Sequence, residues 1–119
     1  MLSLKTKIST PRYRSTRRFY ERVFRMVVVD EWDDPDDTGC ILALPDGRQE
    51  ALLEIYRVQS PLELAGVSLQ FRFERLSDFL ANLPDDIDTE GPVPRPWGST
   101  YLYLRDPNGI QVIVYEGGF

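Results

Sequence analysis

Apolar and polar side chains alternate from Leu2 to Thr10, with Leu2, Leu4 and Ile8 on one side and Ser3, Lys5 and Lys7 on the other. That period of two predicts a first strand. Pro11 suits a helix start, and Tyr13, Thr16, Phe19, Tyr20, Val23 and Phe24 then recur at three- and four-residue steps, which builds the apolar stripe of a helix. Met26 to Trp32 is β-branched and apolar and predicts a strand; Asp33 to Asp37, broken by Pro35, reads as a solvated loop. Gly39 to Pro45 and the run from Arg48 to Val58 predict two antiparallel strands joined by a tight turn at Asp46-Gly47.

The alternation stops at Gln59 to Gly66, a connector holding Pro61 and Gly66, and restarts at Val67. Val67 to Glu74 reads as a strand, and Leu76, Phe79, Leu80 and Leu83 follow at helical spacing before Pro84 ends the helix. Ile87 to Val93 predicts a short strand, Thr100 to Asp106 a longer one, and Asp106-Pro107-Asn108-Gly109 a turn into a last strand over 110–116. Both halves read β-α-β-β-β. The expected fold class is therefore α+β, in one domain spanning 1–119, with module one at about 1–58, a connector at 59–66 and module two at about 67–119.

Composition narrows the chemistry. The 119 residues are 42% hydrophobic and 28% charged, with a formal net charge of -5 and no histidine. Without imidazole, Ser/His/Asp and Cys/His catalysis and every histidine-dependent metal site are excluded. The single Cys40 has no internal disulfide partner and reads as a small buried residue rather than a reactive thiol. No apolar run reaches the roughly 18 residues a membrane helix needs, and no secretory signal is evident at the N-terminus, so a cytoplasmic location and no membrane partner are expected. Charge is uneven: residues 1–25 carry eight basic side chains and one acidic, or +7, against -12 in the rest. Overall acidity opposes a phosphate backbone, and the arginines fit the solvated face of the first helix, so nucleic acid is not an expected partner. The acidic run lacks the donor spacing and glycine of a calcium loop.

Three segments resemble the glyoxalase/bleomycin-resistance/extradiol-dioxygenase proteins, the vicinal oxygen chelate superfamily. Phe19-Tyr20-Glu21-Arg22-Val23-Phe24 is similar to that family's first-helix signature, although Phe24-Arg25 stands where Leu-Gly is usual. Arg95-Pro96-Trp97-Gly98, followed by Tyr101 to Gly109, is similar to its penultimate strand and turn, and Ile110 to Glu116 to its last strand. The resemblance implies two βαβββ modules whose curved, mixed or antiparallel sheets surround a cavity, commonly in a homodimer. It also implies four positions where the family's enzymes hold a divalent metal, which fall on Lys5, Glu54, Val67 and Ile113. Of these only Glu54 is a metal-ligating type, so no metal and no cofactor are expected. Glu116 and Gln111 would reach the site only through a register slip, which turns a strand to its other face.

Lys5 and Glu54 are weighed as an ion pair inside this site or as ordinary solvated charges. Tyr56, Phe71, Trp97, Tyr101 and Tyr103, with Trp32 and Tyr115, are weighed as rings for a flat or cationic ligand or as core and cross-strand pairs. Arg95 beside Trp97 suits an anionic group or simply shapes its loop. The leading expectation is a metal-free protein that sequesters an antibiotic-like or aromatic small molecule, with Lys5, Glu54, Tyr56, Val67, Phe71, Trp97, Tyr101, Tyr103 and Ile113 lining its site. The alternatives are a lyase or isomerase using Glu54 as catalytic base, and a structural or regulatory module with a collapsed cavity.

Overall fold

A computed structural model describes residues 2–60, 63 and 66–118. The chain divides into two compact units, Met1–Glu63 and Leu64–Phe119, each with its own four-stranded sheet. The class is α+β, as the alternating pattern predicts. Half of the connector expected at 59–66, residues 61, 62, 64 and 65, lies outside the described residues.

In the first unit β1 (Leu4–Thr10), α1 (Tyr13–Val23), β2 (Val27–Asp34), β3 (Asp37–Ala43) and β4 (Ala51–Arg57) form a sheet in the order β1-β4-β3-β2. β1 runs parallel to β4, with Ile8 opposite Ile55, and the other two pairings are antiparallel. Paired residues share a face, so Ile8, Thr10, Cys40, Leu42, Leu53 and Ile55 point one way and Lys5, Lys7, Ile41, Glu54 and Tyr56 the other. The first set is buried against the helix stripe of Thr16, Phe19, Tyr20 and Val23. Tyr20, Leu42 and Ile55 are fully buried, and each such side chain contributes about 1.5–3 kcal/mol of apolar burial.

The acidic run is not the loop its composition suggests. β2 continues through Asp34 and β3 starts at Asp37, leaving a two-residue turn at Pro35-Asp36. Side chains lock that hairpin: the Thr38 hydroxyl donates to Asp33 Oδ1 at 3.0 Å, and Trp32 Nε1 donates to Asp37 Oδ1 at 2.9 Å. Carboxylates that look only solvated in the sequence are thus acceptors within a strand pair.

In the second unit β5 (Ser68–Arg72), α2 (Leu76–Ala81), β6 (Glu90–Pro94), β7 (Ser99–Arg105) and β8 (Gln111–Gly117) form a sheet in the order β5-β8-β7-β6, with β5 parallel to β8. The helix side carries Leu102, Leu104, Val112 and Val114 with Leu76 and Phe79, all buried. The turn into β8 forms as expected, because Asp106 Oδ1 accepts from the N–H groups of Asn108 at 2.8 Å and Ile110 at 3.0 Å. Gly109 supplies the positive φ (81°) there.

Glu116, near the end of β8, makes a specific long-range contact. Its Oε1 accepts the backbone N–H of Leu76, the first residue of α2, at 3.0 Å. Arg75, at the N-cap position, offers no capping side chain, so a carboxylate from β8 satisfies the helix terminus instead. Glu116 is engaged on the helix side of the second sheet.

Candidate functional site

Each sheet has a face turned away from its helix, and these two faces hold most of the residues singled out in the sequence. On the first, Glu54 lies in the middle of β4 and is only 8% exposed. Lys5 Nζ stands 3.2 Å from Glu54 Oε1 and Lys7 Nζ 3.8 Å from Oε2, so both carboxylate oxygens face an ammonium. The parallel register explains this: Lys7 is directly opposite Glu54, and Lys5 reaches it diagonally from beside Leu52. Lys7 belongs to the cluster as much as Lys5 does. Strict alternation of Lys5 and Lys7 in β1 was the signal for it.

Lys7 also covers the Tyr56 ring, with Nζ 4.4 Å from the centroid. The Tyr56 hydroxyl hydrogen-bonds Asp37, and that bond to a carboxylate is the main reason its pKa is raised. Asp37 also takes the Trp32 indole N–H, so one carboxylate at the end of the face organises two aromatic side chains. The order along the face is Lys5, Glu54, Lys7, Tyr56, Asp37, Trp32.

The corresponding face of the second sheet is aromatic. Register places Tyr103 opposite Ile113 and Tyr101 opposite Tyr115. The ring centroid of Tyr101 lies 6.0 Å from that of Tyr103, 5.7 Å from that of Tyr115 and 5.8 Å from that of Trp97, which is 51% exposed. Arg95 stacks its guanidinium 5.1 Å from the Trp97 ring and 5.7 Å from that of Tyr101. Its Nε is buried without a hydrogen-bond partner. The loop that carries Arg95 and Trp97 is pinned by Arg95 N–H to Ser99 O at 2.7 Å and Gly98 N–H to Arg95 O at 3.1 Å.

Two expected lining residues stand apart from these groups. Phe71 pairs with Val114, on the helix side and opposite to Tyr101, Tyr103 and Ile113, because β5 presents its odd-numbered residues there. Val67 precedes β5 and is 47% exposed, with no place in the strand ladder. Cys40 is fully buried on the helix side of the first sheet. Burial pushes its thiol pKa up, against the opposing influence of Tyr13 and Arg17, so it is a poor nucleophile.

Among the described residues, no three His, Cys, Asp or Glu side chains come together. Glu54, whose oxygens face Lys5 and Lys7, is the one carboxylate at the four positions discussed above, and this donor set does not fit a divalent ion. No described helix is long and apolar enough to cross a membrane.

A family model described as Glyoxalase/Bleomycin resistance protein/Dioxygenase superfamily matches residues 4–114. Among solved structures, the chain is similar to TnmS3, an antibiotic-binding protein from Streptomyces sp. CB03234, at a TM-score of 0.74 and 16% identity over 98% of both chains. It is similar to a bleomycin-binding protein complexed with bleomycin, at a TM-score of 0.67 and 21% identity over 99% of this chain and 100% of that one. The fosfomycin resistance protein FosX from Listeria monocytogenes gives a TM-score of 0.78 and 13% identity over 100% of this chain and 94% of that one. Among curated proteins, none matches the chain by sequence.

Proposed function

The chain belongs to the glyoxalase/bleomycin resistance protein/dioxygenase superfamily, and from that premise we propose that it is a metal-independent binding protein for an aromatic, antibiotic-like small molecule. The observation that carries this reading is the ring cluster of Trp97, Tyr101, Tyr103 and Tyr115, with Arg95 stacked on two of its members. Half-exposed rings 5.7–6.0 Å apart offer the faces and edges on which a flat ligand stacks. The fold shared with the antibiotic-binding and bleomycin-binding proteins supports the ligand class. Binding by sequestration requires affinity without transition-state stabilisation, so neither a metal nor imidazole is needed. The protein works as a homodimer in the cytoplasm, has no nucleic-acid partner and takes no cofactor.

Calorimetric titration with bleomycin and a panel of planar aromatic compounds tests this. At least one compound is expected to bind saturably, with the affinity lost in Tyr101→Ala and Trp97→Ala. A panel without a binder, or variants that bind like the parent, overturns the reading. Metal analysis of protein purified without chelator is expected to find none, and one metal per chain would overturn metal independence. Sedimentation is expected to show a dimer; a clean monomer contradicts it.

A second reading rests on Glu54. In it the protein is a lyase or isomerase whose base is Glu54 and whose electrostatic partner is Lys5, a reading supported by the burial of that carboxylate and its contact with Lys5. In that case Glu54→Gln abolishes turnover and leaves binding intact.

A further inference from the structure

The first unit has a groove of about 980 Å³ where the start of α1 meets β2, β3 and Arg57 of β4. It shares Trp32 with the face that carries Glu54, and none of the other residues named on that face. Its lining holds five arginines against three carboxylates, in a chain whose overall charge is -5. Two of those carboxylates share one cation: Arg17 Nη1 donates to Glu31 Oε2 at 2.8 Å, and Arg17 Nε to Glu21 Oε1 at 3.4 Å. The third, Asp33, accepts the Thr38 hydroxyl. Among the described residues, no carboxylate pairs with the side chains of Arg12, Arg14 or Arg18.

These cations are placed where helix physics disfavours them. Arg12 and Arg14 stand at the positive end of the α1 dipole, whose first turn holds no acid and whose N-cap side chain makes no capping bond. Arg14 and Arg18 are an i,i+4 pair of like charge. A helix face that served solubility alone would gain from acids at these positions. These arginines are exposed on the groove wall and are joined there by Arg57 of β4, so like charges gather at a helix N-terminus where a bound anion offsets their repulsion.

We propose that this groove is an anion site for a phosphate-bearing small molecule, with Arg12, Arg14 and Arg18 as its charged contacts and the α1 N-terminus beneath them. Guanidinium forks match tetrahedral phosphate oxygens, and the terminal N–H groups of an 11-residue helix add donors along the dipole. Arg17 acts as a positioning residue. It donates to the Tyr13 hydroxyl at 3.2 Å as well as to Glu31, tying α1 to β2 and fixing the groove wall.

The test is calorimetric titration with inorganic pyrophosphate, inorganic phosphate and a nucleoside monophosphate at constant ionic strength, with chloride as control. Saturable one-to-one binding of at least one phosphate compound is expected, weakened tenfold or more in the Arg14→Gln/Arg18→Gln double variant. Which compound binds distinguishes a free phosphate from a phosphorylated molecule. A second variant keeps the outcome readable: Arg14→Glu is expected to raise the melting temperature of the free protein, by giving α1 an acid in its first turn, while abolishing the phosphate-dependent rise. Tyr101→Ala is expected to bind phosphate like the parent, so this site stands or falls apart from the ring cluster. No saturable binding beyond the chloride control, or unchanged affinity in the double variant, overturns the proposal.

Discussion

Trp32 occupies the space that a side chain on Gly39 would fill. A Cβ at Gly39 would lie 2.5 Å from Trp32 Cζ2 and 2.9 Å from Cε2, and the two residues are direct partners in the β2–β3 ladder. The missing side chain lets the indole lie over β3 and aim Nε1 at Asp37. Gly39→Ala is therefore expected to push the indole away, break its bond to Asp37 and cost about 1–3 kcal/mol as an overpacked site. Urea unfolding measures the loss, and the tryptophan emission spectrum reports the moved ring.

The carboxylate that orders Trp32 also holds the Tyr56 hydroxyl. Asp37→Asn removes the charge that disfavours the phenolate, so the Tyr56 pKa is expected to fall. Ultraviolet titration of the variant against the parent checks the direction. An unchanged tyrosine titration would mean that the hydroxyl and the carboxylate do not meet in solution.

Glu116→Ala leaves the first N–H of α2 without its acceptor and is expected to cost about 1 kcal/mol, the usual value of a lost helix cap. Glu116→Gln keeps an acceptor oxygen and is expected to retain most of that stability. Equal losses in the two variants would show that charge, rather than the hydrogen bond, does the capping.

Burial raises the Cys40 pKa, and Tyr13 is raised by burial as well, against the lowering effect of its bond with Arg17. Both groups hold their protons more tightly when folded than when unfolded. The stability they allow is fully present below the unfolded values, about 8.5 for the thiol and about 10 for the phenol, and is lost as pH rises from each of these through the raised folded value. Denaturant midpoints measured from pH 7 to 10 are expected to fall at the alkaline end, and Cys40→Ala should flatten the first part of the decline. In the native protein near neutral pH, a thiol reagent is expected to label Cys40 only through unfolding.

Most elements are legible because each buries a single face. The period-two runs around Leu53 and Leu102 and the 3.6-period stripe from Thr16 to Val23 state which side chains point inward before any partner is known, whereas in the first strand only Ile8 is buried and Leu2 and Leu4, expected on its side, are exposed. The hairpin at Pro35-Asp36 was hidden because its stability comes from Trp32, Thr38 and two aspartates bonding across strands, whereas composition registers only charge. Glu116 was hidden for a related reason: the N–H it caps is 40 residues away in sequence. The pairing of Glu54 with Lys5 came from family resemblance, since a parallel register cannot be counted from local pattern. Phe71 was weighed as a ligand ring or a core ring on its aromatic character alone, which does not state the phase of β5 that turns it to the helix side.

In both units the opening strand finds its hydrogen-bonded place only beside the closing one: Leu4 beside Ala51, and Ser68 beside Gln111. During synthesis β1 therefore waits, as an unpaired segment, until β4 has left the ribosome, and β5 waits likewise for β8. Each half closes late through a contact between its own ends, and loop-closure entropy must be met before that contact gives anything back. A chain stopped just short of β4 would lose two strands of the first sheet, leaving only the β2–β3 hairpin.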